Sequence, residues 1–186
     1  MGKKLSEMTL EELWRLFPIF LTEHKSYWKE WYSEEEDVLK TALPQIERIS
    51  HIGSTAIASI WAKPIIDILV EVSKVYDLSY YKGLIENSGY ICMFESPNRI
   101  SFNKGYSENG FSERVFHLHL KFLGDNDELY FRDYLIEQPD VAKRYEQIKF
   151  ELWKKYEYDR DKYTNEKTEF VEKYTKKAKQ IYADRY

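Results

Sequence analysis

Four groups of residues have the types and spacing to do chemistry. Gly53, Ser54 and Thr55 place a conformationally free residue and two hydroxyls at one turn. Such a turn holds an anion when its backbone N–H groups converge, and it is also ordinary chain punctuation. Asp67 stands inside the apolar run 64–72, PIIDILVEV. A carboxylate in hydrocarbon needs a cation or hydrogen bonds, which makes Asp67 a site candidate or a structural partner of the turn. His117 and His119 stand at i and i+2 of the alternating segment RVFHLHLKF. On a strand both imidazoles point to one side, about 6–7 Å apart at the backbone. A pair like that ligates one metal, brackets an anion, or packs half-buried among aromatic rings. Lys63, just before the Asp67 run, and Arg114 and Lys121, flanking the histidines, are cations for the same anion or plain surface charges.

The elements that must position these groups follow from periodicity. Helices are expected over 6–17, with either Ser6 or Thr9 (Glu12 three residues on, as in a capping box) as the N-cap, and over 27–42, with Trp28, Trp31, Val38 and Leu39 as apolar positions. A short Ile-rich strand over 45–52 leads into the Gly-Ser-Thr turn. The run 64–72 is nearly all apolar, as a central strand covered on both faces would be. A helix over 76–88 ends near Gly89, and 90–95 forms another strand. Segment 96–112, with Pro97, Asn98, Gly105, Asn109 and Gly110, is loop-like, although 99–102 has the composition of an edge strand. In 114–122, Phe116, Leu118, Leu120 and Phe122 share one face; Val115, His117, His119 and Lys121 share the other. From Asp127 the pattern turns helical: ELYFRDYLIEQ, a long helix over 140–156, and a last one over 159–184. The fold class is therefore α/β (α+β): a small mixed β-sheet flanked by N-terminal helices (1–45), a sheet core (46–125) and a C-terminal helical subdomain (126–186), in one domain.

Composition narrows the classes. The chain has 186 residues, a net charge of −4, 43% hydrophobic and 32% charged residues. That excludes a disordered acidic tail and a strongly basic nucleic-acid coat. Aromatic residues reach 17%; Tyr80, Tyr81, Tyr130 and Tyr134 are expected at the edge of a core, and His24 on the surface. Cys92 is the one cysteine, so neither an internal disulfide nor a cysteine zinc cluster can form. A charged N-terminus without an apolar run does not read as a signal peptide, and no apolar stretch is long enough to span a membrane. The expectation is a cytoplasmic protein with no membrane partner. Residues 141–186 hold 13 basic against 9 acidic residues, whereas 1–140 hold 15 against 23. The C-terminal part can attract an anion or serve as a solvated helix face. Nucleic acid is not the expected partner, because the balance is acidic and no aromatic single-strand motif is visible.

The blocks HIGSTAIASIWAKPIIDILVEV (51–72), VFHLHLKF (115–122), YFRDYLIEQPDVAKRYEQIK (130–149) and YTNEKTEFV (163–171) resemble the GrpB-like proteins, a branch of the nucleotidyltransferase superfamily. The resemblance spans roughly 24–180. In that superfamily a Gly-Ser turn holds nucleotide phosphates, and an Asp-x-Asp on the next strand plus a third carboxylate binds two divalent metals. The resemblance places Gly53 and Ser54 at the phosphate turn and Asp67 at the first metal carboxylate. It also implies a departure: Leu69 stands at the second carboxylate, and the third strand offers His117 and His119. Two ions about 3.5–4 Å apart need several shared carboxylate oxygens. Glu71, about 13 Å from Asp67 along the strand, cannot replace Leu69. The set Asp67, His117 and His119 suits one Zn²⁺ or Mn²⁺ better than paired Mg²⁺, with His51 near the same turn.

The resulting expectation is a nucleotidyltransferase-fold protein that binds a nucleotide or other phosphorylated ligand with a divalent metal (Mg, Mn or Zn). Gly53, Ser54, Thr55, Lys63 and Arg114 would hold the ligand. Asp67, His117 and His119 would hold the metal, with Asp67 and His119 as the residues for nucleotidyl transfer. The alternatives are a catalytically degenerate nucleotide-sensing or interaction module, and a metal-dependent phosphohydrolase.

Overall fold

The structure is a computed structural model that describes residues 3–183 and 185–186; Met1, Gly2 and Asp184, the expected end of the last helix, lie outside it. Helix α1 (Leu10–Leu16) begins where the capping box places it. Thr9 Oγ1 accepts from the Glu12 backbone N–H at 3.2 Å, and the Glu12 carboxylate accepts from Thr9 N–H at 2.6 Å. Helix α2 (Trp28–Ala42) buries Trp28 and Leu39 completely, while Val38, expected to face inward, is 45% exposed. Val38 is adjacent to Leu39, and consecutive helical positions diverge by about 100°.

The sheet has five strands: β1 (Ile46–Ile52), β2 (Ile66–Val72), β3 (Ile91–Ser96), β4 (Arg99–Ser107) and β5 (Gly110–Phe122), in the order β1-β2-β5-β4-β3. Only β2 and β5 run parallel; the other neighbours are antiparallel. Helix α3 (Leu78–Asn87) joins β2 to β3. Segment 96–112 is therefore not a loop. It is most of one hairpin, tightly turned at Glu108 and Asn109, with Ser107 opposite Gly110. Its glycines belong to strand irregularities. Gly110 takes φ 102° directly after the turn, and Gly105 takes φ 88° where the β4–β5 register shifts. Glycine at such positions bends a strand without ending it.

The two central strands set the layering. Ile66, Ile68, Val70 and Val72 of β2 join Phe116, Leu118 and Leu120 of β5 on one face, packed with Trp28 and Leu39 of α2 and Tyr81 and Ile85 of α3. Each of these buried side chains contributes about 1.5–3 kcal/mol. The alternate positions, Asp67, Leu69 and Glu71 of β2 with His117, His119 and Lys121 of β5, lie in register on the opposite face. Four helices follow the sheet: α4 (Asp127–Glu137), α5 (Pro139–Tyr156), α6 (Arg160–Asn165) and α7 (Thr168–Ile181); α4 packs on that face, its Leu129 against Ile52 and Leu69, and carries α5 and α7 with it. Pro139 opens α5, where its missing N–H costs no helical bond. The single helix expected over 159–184 is two helices. Asp159 caps α6 by accepting from Lys162 N–H at 3.0 Å, and α7 begins after a turn at Glu166 and Lys167. Tyr130 and Tyr134 are buried against Tyr174 and Ala178 of α7. Tyr81 is buried as well, whereas Tyr80 is 48% exposed. Among the described residues no helix is long and apolar enough to cross a membrane.

Candidate functional site

The site is built around one close approach. Ile52 is in register with Asp67, so the turn leaving β1 passes directly over the β2 carboxylate. Gly53 takes φ 69° and ψ −173°, a region that is essentially glycine-only. A Cβ there would lie 3.0 Å from both Cβ and Cγ of Asp67 and closer still to Oδ2. Glycine is required for the backbone conformation and also for room.

Thr55 follows, but it turns inward. Its hydroxyl donates to the Ile65 carbonyl at 3.1 Å and accepts from His51 Nε2 at 2.9 Å. With both bonds made and 2% of its surface exposed, Thr55 braces the 53–65 loop and is not available to a ligand. The His51 ring is stacked on Tyr32 at 4.8 Å, and burial pushes its pKa down to about 4. Ser54 does reach the cleft. Its Oγ accepts from Lys149 Nζ at 3.2 Å; the same ammonium donates to the Trp61 carbonyl and stands 5.1 Å over the Tyr145 ring. Lys149 thus ties both ends of the loop to α5.

Asp67 anchors a chain of polar contacts that crosses the sheet. His117 Nδ1 lies 3.3 Å from Asp67 Oδ1, His117 Nε2 lies 2.7 Å from the Tyr106 hydroxyl, and that hydroxyl accepts from Arg160 at 3.1 Å. Arg160 can only donate, so the Tyr106 O–H is free to donate to His117 Nε2, and His117 Nδ1–H to Asp67. Burial acts to raise the Asp67 pKa; the His117 bond and the charges of His117, His119 and Lys63 outweigh it and hold the carboxyl below its ordinary value.

His119 lines the cleft with Asp67, but its Nδ1 faces Arg99 at 3.2 Å and Ser101 at 3.4 Å. Burial pushes its pKa down to about 4, so it is neutral at physiological pH. The expected three-donor set of Asp67, His117 and His119 is therefore not formed. Both nitrogens of His117 are engaged within the protein. Among the described residues no group of three or more His, Cys, Asp or Glu is arranged to hold a metal ion. A two-metal set fits no better. Leu69 is fully buried in an apolar cluster with Ile52 and Leu129, so hydrocarbon closes the second carboxylate position. Glu71 is committed elsewhere. It is wholly buried, bonded to Arg48 at 3.0 Å, Gly124 N–H at 3.0 Å and Asn126 at 3.2 Å.

Arg114 is outside the site. It lies two residues before Phe116 in β5, on the α2 side of the sheet, paired with Glu34 and 5.3 Å from the Trp31 ring. Strand alternation puts it opposite the histidines. Lys121 is on the site face but buried between Asp125, at 3.0 Å, and Glu128, at 2.8 Å. Lys63 is near: its charge acts on Asp67, its Nζ stands 5.2 Å over the Tyr163 ring, and it lines a second, smaller pocket. Burial pushes its pKa down to about 7, with Lys167 and Arg160 pushing the same way.

The main cleft, about 840 Å³, opens between the Gly53–Ser54 turn, Asp67 and His119 on one side and Arg132 of α4, Tyr145 of α5 and Lys167 on the other. Burial lowers the pKa of Lys149 to about 7 and that of Lys167 to about 8. Among the described residues Lys63, Lys149 and Lys167 form no ion pair with a carboxylate. The residues that individual reading of the sequence misses are Tyr106, Arg132, Lys149, Arg160 and Lys167. Three of them, Arg132, Lys149 and Lys167, lie in the segments 130–149 and 163–171, and the basic excess of 141–186 contains Lys149, Arg160 and Lys167.

The family described as GrpB protein matches residues 18–177. The Glutamate-rich protein GrpB of Alkalihalophilus pseudofirmus is 36% identical over 161 residues, 83% of this chain and 92% of that one. The UPF0157 protein YqkA of Bacillus subtilis is 31% identical over 183 residues, covering 95% of this chain, which spans about half (52%) of YqkA. The crystal structure of conserved protein GrpB from Enterococcus faecalis superposes with a TM-score of 0.76 at 30% identity, covering 89% of this chain and all (100%) of that one. A looser likeness, TM-score 0.48 at 12% identity over 78% of this chain and 46% of the other, is to a Cid1 poly(U) polymerase; a likeness of that size says nothing about a site. With a match that runs from Pro18 through the whole sheet to α7, the chain belongs to the GrpB family.

Proposed function

We propose that the main cleft binds a nucleotide or another phosphorylated small molecule, and that protein cations receive its phosphate. The observation that supports this most directly is Lys167. It sits on the cleft wall facing the Gly53–Ser54 turn, half-buried, with the Tyr163 ring 4.3 Å from its ammonium and no carboxylate partner among the described residues. Lys149 and Lys63 lie in its field, so three cations from three parts of the chain stand close together, two of them, Lys63 and Lys167, acting on Asp67. Partly buried cations that repel one another and make no direct salt bridge are stabilised by an incoming anion. Two charge-assisted bonds to phosphate would contribute about 3–6 kcal/mol. In this reading Ser54 and Lys167 touch the phosphate, Arg132 lines the opposite wall, and Lys149 holds Ser54 in place. The donor set does not fit two-metal nucleotidyl transfer, so the reading is of a binding or sensing cleft, with the apolar plug at Leu69 as its reason.

A thermal-shift series tests this. Nucleoside triphosphates and inorganic tripolyphosphate should each stabilise the protein, by about 2.7 kcal/mol at a hundredfold excess over the dissociation constant. The matching nucleosides, lacking phosphate, should do little, and Lys167→Met should lose the response. Equal shifts from nucleoside and nucleotide, or no shift from any phosphate compound, would refute the reading.

A further inference from the structure

A second pocket lies on the other side of Lys63. It encloses about 270 Å³ and is walled by Phe20, Pro64, Phe111 and Val115, with Lys63 and Arg160 as its cations. Neither cation forms an ion pair with a carboxylate among the described residues. Arg160 spends one N–H on Tyr106 and stands over the Tyr106 and Phe111 rings at 5.7 and 6.0 Å, which leaves further donors of its fork uncommitted. Lys63 has the Tyr163 ring as its neighbour and lies in the field of Lys167 and Arg160. Glu113 is the one acidic residue in the lining, and it is solvent-exposed.

Apolar walls with two convergent cations define a ligand chemistry. Neutral hydrocarbon would leave both cations desolvated and unpaired; inorganic phosphate would leave the aromatic and proline walls uncovered. We propose that this pocket is a separate binding site for a small organic anion with a compact ring or branched apolar body, its carboxylate held between Lys63 and Arg160. The volume, just under the usual range for drug-sized ligands, suits one ring and one head group. Lys63 stands between the two cavities, but the assignment rests on the lining of this pocket and does not need the main cleft to bind nucleotide. It also places a ligand at the outer end of the Arg160–Tyr106–His117–Asp67 chain, whose inner end is in the main cleft.

Benzoate and benzyl alcohol are suitable probes, since they share a ring and differ in charge. Saturation-transfer NMR and titration calorimetry on the full chain should show benzoate binding and benzyl alcohol at least about tenfold weaker, the factor expected for one charge-assisted bond. Arg160→Gln and Lys63→Gln should each weaken benzoate by about tenfold or more. Ser112→Trp, at an exposed position on the pocket lining, should block it while the circular dichroism spectrum and melting temperature stay those of the wild type. Absence of benzoate binding, equal affinity for the alcohol, or unchanged affinity in folded Arg160→Gln and Ser112→Trp would overturn the proposal. So would competitive displacement of benzoate by tripolyphosphate, because the anion would then lie in the main cleft.

Discussion

Gly53→Ala tests whether the Gly53–Asp67 approach organises the site. Two costs add. The backbone at φ 69° and ψ −173° lies where a residue with a Cβ is strained by about 1–3 kcal/mol. The new methyl would also meet Asp67 Cβ and Cγ at 3.0 Å, and Oδ2 more closely, so the carboxylate must move. Moving it sacrifices the 3.3 Å contact with His117, a charged hydrogen bond contributing about 1.5–3 kcal/mol. The expected loss is about 3–5 kcal/mol in urea denaturation, or a melting temperature lower by about 10 °C for a chain of this size. Asp67→Gly removes every atom the methyl would strike. In that background Gly53→Ala should cost only the backbone strain, so the double-mutant cycle should give a coupling of about 1.5–3 kcal/mol. A single-mutant cost below about 1 kcal/mol, or the same cost in both backgrounds, would refute the reasoning.

Three further outcomes are expected. Arg48→Met leaves Glu71, wholly buried, with only Gly124 N–H and Asn126 as partners; urea denaturation should show a loss of about 3 kcal/mol, and a loss under about 1 kcal/mol would contradict the account of Glu71 as a structural anchor. Stability should fall as pH drops from 6.5 to about 4, because unfolded His51 and His119 take up protons there that their folded forms, with pKa values lowered to about 4, refuse. The slope should reach about 1.4 kcal/mol per pH unit for each histidine, and a flat profile across that window would exclude their burial as neutral rings. Asp67, held below its ordinary 3.8, adds its own loss only at lower pH. Tyr106→Phe removes the hydroxyl between Arg160 and His117, and should cost about 1–3 kcal/mol and raise the apparent His117 pKa measured by NMR from its lowered position; an unmoved His117 titration would break the proposed chain.

Much of the scaffold was legible because it rests on short-range pattern. The alternation of 114–122 assigned Phe116, Leu118 and Leu120 to one face and His117 and His119 to the other, and the apolar run around Asp67 marked the central strand. Of the two N-caps the sequence offers for the first helix, Ser6 and Thr9, α1 uses Thr9 with its Glu12 capping box. The 96–112 hairpin was obscured because glycines that bend a strand are the same letters that end one. Arg114 and Thr55 show the limit for site residues. Each has suitable chemistry and is adjacent in sequence to a true site element, yet a single step along a strand or a 3₁₀ turn aims it elsewhere. Lys149 and Lys167 were invisible one by one, because surface lysines and site lysines differ only in what the tertiary fold brings opposite them, here Ser54 and Asp67.

Calorimetric titration of a nucleoside triphosphate into the protein, with and without excess EDTA, tests the central claim that protein cations recognise the phosphate. Binding should persist in EDTA, weaken about tenfold or more in Lys167→Met, and hold or tighten in Asp67→Asn, which removes a repulsive carboxylate from the cleft. Binding that requires a divalent ion and disappears in Asp67→Asn while surviving Lys167→Met would contradict it.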